Sequence, residues 1–131
     1  MKFQKILILL IISFSLNAYS SYSGVYYCSD EKVTGFDPEN SFKTTLFQGM
    51  KFKAKIDFEK EEVISDDIFF PKIWQQKCLV NEFSSISCVS LYGRSFSFNP
   101  ISRYFVRSNH YSDNEKPEDS IAVTYGTCEK F

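Results

Sequence analysis

Residues 51–58, KFKAKIDF, alternate strictly between apolar and charged side chains. Phenylalanine, alanine and isoleucine occupy the even positions, whereas lysine and aspartate occupy the odd positions. Such period-two alternation is typical of a β-strand that buries one face and leaves the other in water. The charged run EKEE at 59–62 predicts a turn, and residues 63–65 begin a return strand. This hairpin predicts an antiparallel β-sheet as the basis of the fold.

The rest of the chain continues in short segments that are rich in aromatic and β-branched residues, which suit a half-buried sheet. Upstream strands are predicted over 24–29 and 41–49, and the segment between them, with Gly35 and Pro38, is interpreted as a turn. Downstream strands are predicted over 75–83, 85–93, 94–99, 103–108 and 121–131. Eight or nine short strands in meander order predict a small all-β domain. A closed antiparallel barrel is the first choice of architecture, and a sandwich is the second.

The first twenty residues have the organisation of an export signal. A basic start leads into the unbroken aliphatic run at 6–12, and the small residues Ala18 and Ser20 provide a cleavage site. The alternative is an uncleaved membrane anchor, but a spanning helix needs about 20 apolar residues. We therefore expect a cleaved signal peptide over 1–20 and one mature domain over 21–131. That domain is expected to be periplasmic or secreted, monomeric, and without a stable membrane anchor.

All four cysteines fall within the predicted mature chain: Cys28, Cys78, Cys88 and Cys128. An even number in a small exported domain predicts two disulfide bonds, for which three pairings are open. A nested pairing is favoured because a closed sheet makes the first and last strands neighbours. Cys28–Cys128 would then clasp the two ends of the chain, and Cys78–Cys88 would clip one hairpin. A structural zinc site would need closely spaced pairs such as C-x-x-C, so neither a metal nor another cofactor is expected.

Three short stretches carry a resemblance to other proteins: GVYYCSDEKVTGF at 24–36, KFKAKIDF at 51–58 and the terminal GTCEKF at 126–131. Together they resemble a family of small exported bacterial proteins of uncharacterised function. Those proteins share a Tyr-Cys strand after the signal and a Cys-Glu-Lys-Phe end. The resemblance implies export, and it implies no activity.

The composition argues against several classes of function. The chain has 15 basic and 16 acidic residues, so the basic surplus of a nucleic-acid-binding domain is missing. Nucleophilic catalysis needs a serine or cysteine beside a base, but the single histidine, His110, lies in a polar loop. The acidic residues mostly cluster in turn-like runs, although a carboxylate pair for glycoside hydrolysis leaves no spacing signature. No catalytic set is predicted, and a binding module is favoured over an enzyme.

Arginines and lysines form the first group of candidate binding residues. Arg94, Arg103 and Arg107 are predicted to meet on adjacent strands, where guanidinium groups favour carboxylates and phosphates. The lysines at the odd positions of 51–55 could bind an anionic ligand or a polysaccharide. The alternative for this row is protection of a sheet edge and solubility.

The second candidate is the segment 66–76, DDIFFPKIWQQ, which does not alternate like its neighbours. It concentrates Phe69, Phe70 and Trp74 around a proline. One interpretation is a segment that plugs the mouth of the barrel, and the other is an exposed loop that docks a partner. The partner could be a small apolar ligand held in the barrel or an envelope protein such as a hydrolase that is inhibited.

Overall fold

A computed structural model of the chain describes residues 21–37, 41, 43–65, 76–91, 93–109 and 121–131. Within these ranges the secondary structure is entirely β, which confirms the predicted class. The strands are β1 (Gly24–Asp37), β2 (Lys43–Leu46), β3 (Lys51–Asp57), β4 (Glu62–Ser65), β5 (Gln76–Val80), β6 (Ile86–Ser90), β7 (Arg94–Phe98), β8 (Tyr104–Asn109) and β9 (Ile121–Lys130). A search of the described ranges for a helix able to cross a membrane finds none. The predicted signal peptide lies outside these ranges.

The strands form one antiparallel sheet that is nearly closed into a barrel. The order around the barrel is β4, β3, β1, β9, β8, β7, β6, β5, and β2 pairs with the far end of β1. The first and last strands are neighbours over almost their whole length, from the pair Tyr26–Lys130 to the pair Phe36–Ile121. The predicted barrel, in which the chain ends meet, is therefore confirmed.

The seam of the barrel lies between β4 and β5, which follow each other in the sequence. Side chains bridge this seam. The Gln76 side-chain amide donates a hydrogen bond to the Val63 carbonyl. The Val80 N–H donates to the Glu61 carboxylate at 3.0 Å. The two strands are thus held together by side-chain contacts with the backbone.

Aromatic rings from opposite walls meet in the middle of the barrel. Tyr26 of β1 contacts Phe98 of β7 with ring centroids 4.9 Å apart. Phe52 of β3 contacts Phe105 of β8 at 5.4 Å, and Phe105 in turn stacks on Phe96. All five rings are buried. Because full burial of such a side chain stabilises by about 1.5–3 kcal/mol, this cluster is a main source of stability.

The predicted turn around Gly35 is wrong, because β1 continues through it to Asp37. A bulge between Asp30 and Lys32 shifts the register against β9 and changes which side chains point inward. Gly35 serves close packing of the strands, since a Cβ atom there would lie 1.8 Å from the Ile121 carbonyl oxygen. Pro38 lies outside the described residues.

Both predicted disulfide bonds are confirmed. Cys28 and Cys128 occupy directly opposite positions on β1 and β9, with Cα atoms 4.0 Å apart. Cys78 and Cys88 occupy directly opposite positions on β5 and β6, with Cα atoms 3.9 Å apart. Two buried disulfides are consistent with an oxidising extracellular or periplasmic environment.

Asp57 closes the turn between β3 and β4. Its carboxylate accepts hydrogen bonds from the backbone N–H groups of Lys60 at 3.0 Å and Glu59 at 3.1 Å. The Lys60 backbone hydrogen bond is the main cause that lowers the pKa of Asp57 below its ordinary value of 3.8, against a smaller opposing effect of desolvation. The stability from this lowered pKa is complete above pH 3.8 and is lost as the pH falls through the folded-state pKa.

We expect Asp57→Ala to unfold at a lower urea concentration than the native protein at neutral pH. The difference should shrink in acid, below the folded-state pKa, because the native carboxylate is then protonated. Glu59→Ala, which removes a carboxylate from the same turn, is the matched control and should change the midpoint less. A deficit of Asp57→Ala that is equally large in acid would contradict this role.

Candidate functional site

Three of the predicted site residues, Phe69, Phe70 and Trp74, lie outside the described residues, and so does His110. The two interpretations of the segment 66–76, as a plug or as a docking loop, therefore stay predictions.

Arg94 and Arg107, two of the three arginines that were predicted to meet, lie near each other on β7 and β8. Phe96 pairs with Arg107, and Arg94 pairs with Asn109, so the two arginines are diagonal neighbours. They share the inward face of the sheet with Phe96. Arg107 is buried and Arg94 is half-buried.

Arg107 forms an ion pair with Asp30 inside the barrel. Its Nη2 donates to Asp30 Oδ2 at 2.6 Å, and the two side chains are only 6% and 1% exposed. The guanidinium lies 4.8 Å from the centre of the Phe52 ring, and the Met50 N–H donates to the same Asp30 oxygen at 2.9 Å. Burial lowers the pKa of Arg107, and the Asp30 charge partly offsets this. The pair joins β1 to β8 and is enclosed, so we interpret it as structural.

The opposite surface of β3, β1, β9 and β8 faces solvent and places aromatic rings beside cations. One row across the strands is Lys53, Tyr27 and Glu129, and the next is Lys51, Ser29, Thr127 and Tyr104. Alternation directs these residues outward, because Phe52, Cys28 and Cys128 between them are buried. We call this surface the lysine–tyrosine face, defined as Tyr27, Ser29, Lys51, Lys53, Arg103, Tyr104, Thr127 and Glu129.

A groove of about 460 Å³ lies over β3, β1 and β9, and its wall includes Lys51, Lys53, Tyr27 and Glu129. The Lys53 ammonium lies 5.5 Å from the centre of the Tyr27 ring. The Phe131 ring meets the Tyr27 ring edge-on at 5.5 Å. Tyr27 is 45% exposed although it lies in the middle of a strand. The groove therefore offers an aromatic surface, two cations and a carboxylate to a ligand.

A second groove of about 240 Å³ lies between the β7–β8 turn and β9, and its wall includes Arg103, Tyr104, Thr127 and Glu129. Thr127 and Glu129 also line the first groove, so the two grooves adjoin. Arg103 has a φ of 64°. Its N–H donates to the Asn99 carbonyl and its own carbonyl accepts from the Cys128 N–H, both at 2.8 Å. The structure thus separates Arg103 from Arg94 and Arg107 and places it on the lysine–tyrosine face.

A pair of tyrosines extends the aromatic surface beyond the second groove. The rings of Tyr104 and Tyr125 lie 5.1 Å apart, and both are partly exposed. Desolvation, a hydrogen bond with Tyr104 and the nearby charges of Tyr104 and Glu31 raise the pKa of Tyr125 above its ordinary value. Glu31 in turn accepts a hydrogen bond from the Thr127 hydroxyl at 3.1 Å. The polar groups at this end of the face are therefore linked to one another.

The sequence pattern indicated the lysine row and Arg103 as candidates but did not indicate Tyr27, Tyr104, Thr127 and Glu129. A local signal for Tyr27 and Glu129 exists, because each is adjacent to a cysteine that alternation would bury. Their meeting with the lysines depends on the β3–β1–β9 register, which the local pattern does not contain.

No protein-family model, curated protein or solved structure matches the chain. The resemblance to small exported bacterial proteins therefore stays a prediction. A search of the described ranges for three or more metal-ligating side chains in one place also finds none.

Proposed function

We propose that this protein is a binding module of an oxidising compartment, and that it engages its ligand with the lysine–tyrosine face. The observation that carries this proposal is the presence of exposed rings and cations in two adjoining grooves. Contiguous exposed apolar surface rimmed by polar residues often marks an interaction site on a soluble protein. The proposal favours a binding protein over a catalyst.

The barrel interior supports a carrier function less well. The contacts of Tyr26 with Phe98 and of Phe52 with Phe105 cross from wall to wall. A small apolar ligand in the middle of the barrel would have to separate these rings, at the cost of buried area and packing. A ligand on the outer surface needs no such rearrangement.

The Cys28–Cys128 bond supports the proposed site directly. Cys28 lines the first groove and Cys128 lines the second, so the bond lies beneath the place where the two grooves adjoin. A covalent link at this point fixes Tyr27 on β1 against Glu129 on β9. A surface that is rigid before binding loses less conformational entropy when the ligand binds. We therefore interpret the disulfide as support for the face as well as for the fold.

A protein partner is the second candidate for the occupant of this face. Tyrosine and arginine are enriched among the residues that dominate the binding energy of protein interfaces. Tyr27, Arg103 and Tyr104 would be such anchors. An exported protein that docks an envelope hydrolase in this way would act as its inhibitor.

The proposal is tested by retention of material from an envelope extract of the organism that encodes the protein. Immobilised native protein is expected to retain a component, and Tyr27→Ala and Tyr104→Ala are expected to lose most of it. Leu79→Ala removes a side chain that is 60% exposed on β5 and is the control. Mass spectrometry and sugar analysis identify what is retained, and thermal melting shows that each variant is folded. Retention that neither tyrosine variant reduces would refute the proposed site.

A further inference from the structure

The cations of the lysine–tyrosine face lie at its two ends. Lys51 and Lys53 are on β3, whereas Arg103 directly precedes β8, and β1 and β9 lie between them. Adjacent strands are about 4.8 Å apart, so the backbones that carry the two sets of cations are separated by roughly 14 Å. A chain that carries repeated acidic groups and runs across the strands can contact both ends without drawing these long side chains together.

The centre of the face carries a carboxylate instead of another cation. Glu129 lies beside Tyr27 in the cross-strand row and lines both grooves. An ionised carboxylate only accepts hydrogen bonds. An acidic peptide or a polyphosphate offers mainly negative oxygens, which Glu129 would repel at close range. A chain that also carries hydroxyl groups can donate to Glu129 and still pair its acidic groups with the cations.

The rings beside the carboxylate fit the same type of ligand. Tyr27 and Tyr104 are 45% and 47% exposed and flank Thr127 and Glu129. The C–H groups on the faces of a sugar ring are apolar and slightly positive, so they pack against the negative face of an aromatic ring. Lys53 already lies near one such ring, 5.5 Å from the centre of Tyr27.

We infer that the ligand is an acidic glycan that crosses the strands of the lysine–tyrosine face, with its acidic groups on Lys51, Lys53 and Arg103 and its hydroxyl groups on Glu129. This inference rests on the proposed function and adds the chemical class of the ligand. Charge complementarity at both ends, an acceptor in the middle and two exposed rings together select a hydroxylated anionic chain.

The test uses isothermal titration of the full mature protein with an oligogalacturonate that is long enough to cross four strands. The native protein is expected to bind it, with an affinity that falls as salt is added. The same oligosaccharide with its carboxylates methylated should bind about tenfold less tightly or worse, because several surface ion pairs are lost together. Lys53→Gln and Arg103→Gln should each weaken binding about twofold to fivefold. Lys77→Gln makes the same charge change on β5, outside the face, and should leave the affinity unchanged.

Glu129→Gln separates the glycan from other polyanions. It should weaken oligogalacturonate binding, since a strong acceptor for sugar hydroxyl groups is lost. Stronger binding in this variant would show that Glu129 only repels the ligand and would overturn the inference. Equal binding of the methylated form, tighter binding of poly-glutamate, or no binding of oligogalacturonate would overturn it as well. The envelope-extract experiment requires no choice of ligand. If the face retains a component there and any of these outcomes is also observed, the glycan inference is refuted and the proposed binding face is not.

Discussion

Replacement of Cys28 and Cys128 together by alanine is expected to lower the free energy of unfolding by about 4.7 kcal/mol on the loop-entropy relation. The bond closes a loop with a sequence separation of 100 residues. Without it, the unfolded chain gains much conformational freedom. A natural domain is stable by only about 5–15 kcal/mol, so the variant should be close to the limit of folding. Urea denaturation followed by far-ultraviolet circular dichroism measures the change.

The second disulfide provides a matched control for this prediction. Cys78 and Cys88 are separated by only 10 residues. The same relation gives about 2.7 kcal/mol for their replacement by alanine. Both double variants remove two buried sulfurs from directly paired strands, so their difference isolates the effect of loop length. Equal losses, or a larger loss for Cys78→Ala/Cys88→Ala, would contradict the role of Cys28–Cys128 as the main clasp.

The second large effect is expected for Arg107→Met, which should destabilise the fold by about 3–5 kcal/mol. The substitution preserves much of the side-chain volume but leaves the Asp30 carboxylate buried without its cation. Asp30 is 1% exposed, and its Oδ1 has no hydrogen-bond partner among the described residues. Methionine cannot replace the hydrogen bond that Arg107 donates to Oδ2.

The double variant Arg107→Met/Asp30→Asn tests whether the buried charge is the cause. Asparagine removes the negative charge and keeps an oxygen that can accept from the Met50 N–H. The double variant should therefore regain much of the stability that Arg107→Met loses. A loss of less than about 1 kcal/mol for Arg107→Met, as for an exposed ion pair, would contradict the buried-pair interpretation. Additive losses from the two substitutions would contradict it as well.

Much of the fold could be predicted because its signals are local. The alternation in 51–58 identified β3 and its buried face, because the polarity of each side chain indicates whether it faces the core or the solvent. The number and placement of the cysteines, together with a closed sheet, were enough to favour the observed pairing. The alternation lies within one short segment, whereas the pairing of Cys28 with Cys128 followed from the expected closure of the sheet, which makes the first and last strands neighbours.

The predictions that the structure corrects depend on contacts between residues that are distant in the sequence. β1 continues past the bulge between Asp30 and Lys32 because it keeps pairing with β9, which Gly35 approaches closely. The local sequence of this segment is otherwise typical of a turn. A glycine that permits close approach and a glycine that permits a turn look the same in one sequence. The strand β2 is also shorter than the predicted 41–49.

The candidate site was predictable only in part, for the same reason. The lysine row was visible in one strand, and the arginines were visible as a set. The burial of Arg107 depends on Asp30, which is 77 residues away in the chain. Arg103 lies on the same face as the lysines because β8, β9 and β1 are neighbours in the sheet. No single segment of the sequence contains this strand order.

The central claim is that this barrel binds with its outer surface, and nuclear Overhauser effects from the bound material to aromatic ring protons test it most directly. Labelled protein is prepared with the component that it retains from the envelope extract. The account predicts transfer from that component to the ring protons of Tyr27 and Tyr104, which are exposed on the lysine–tyrosine face. Transfer to Phe96 and Phe98 instead, whose rings are buried in the barrel, would place the ligand inside and contradict the account.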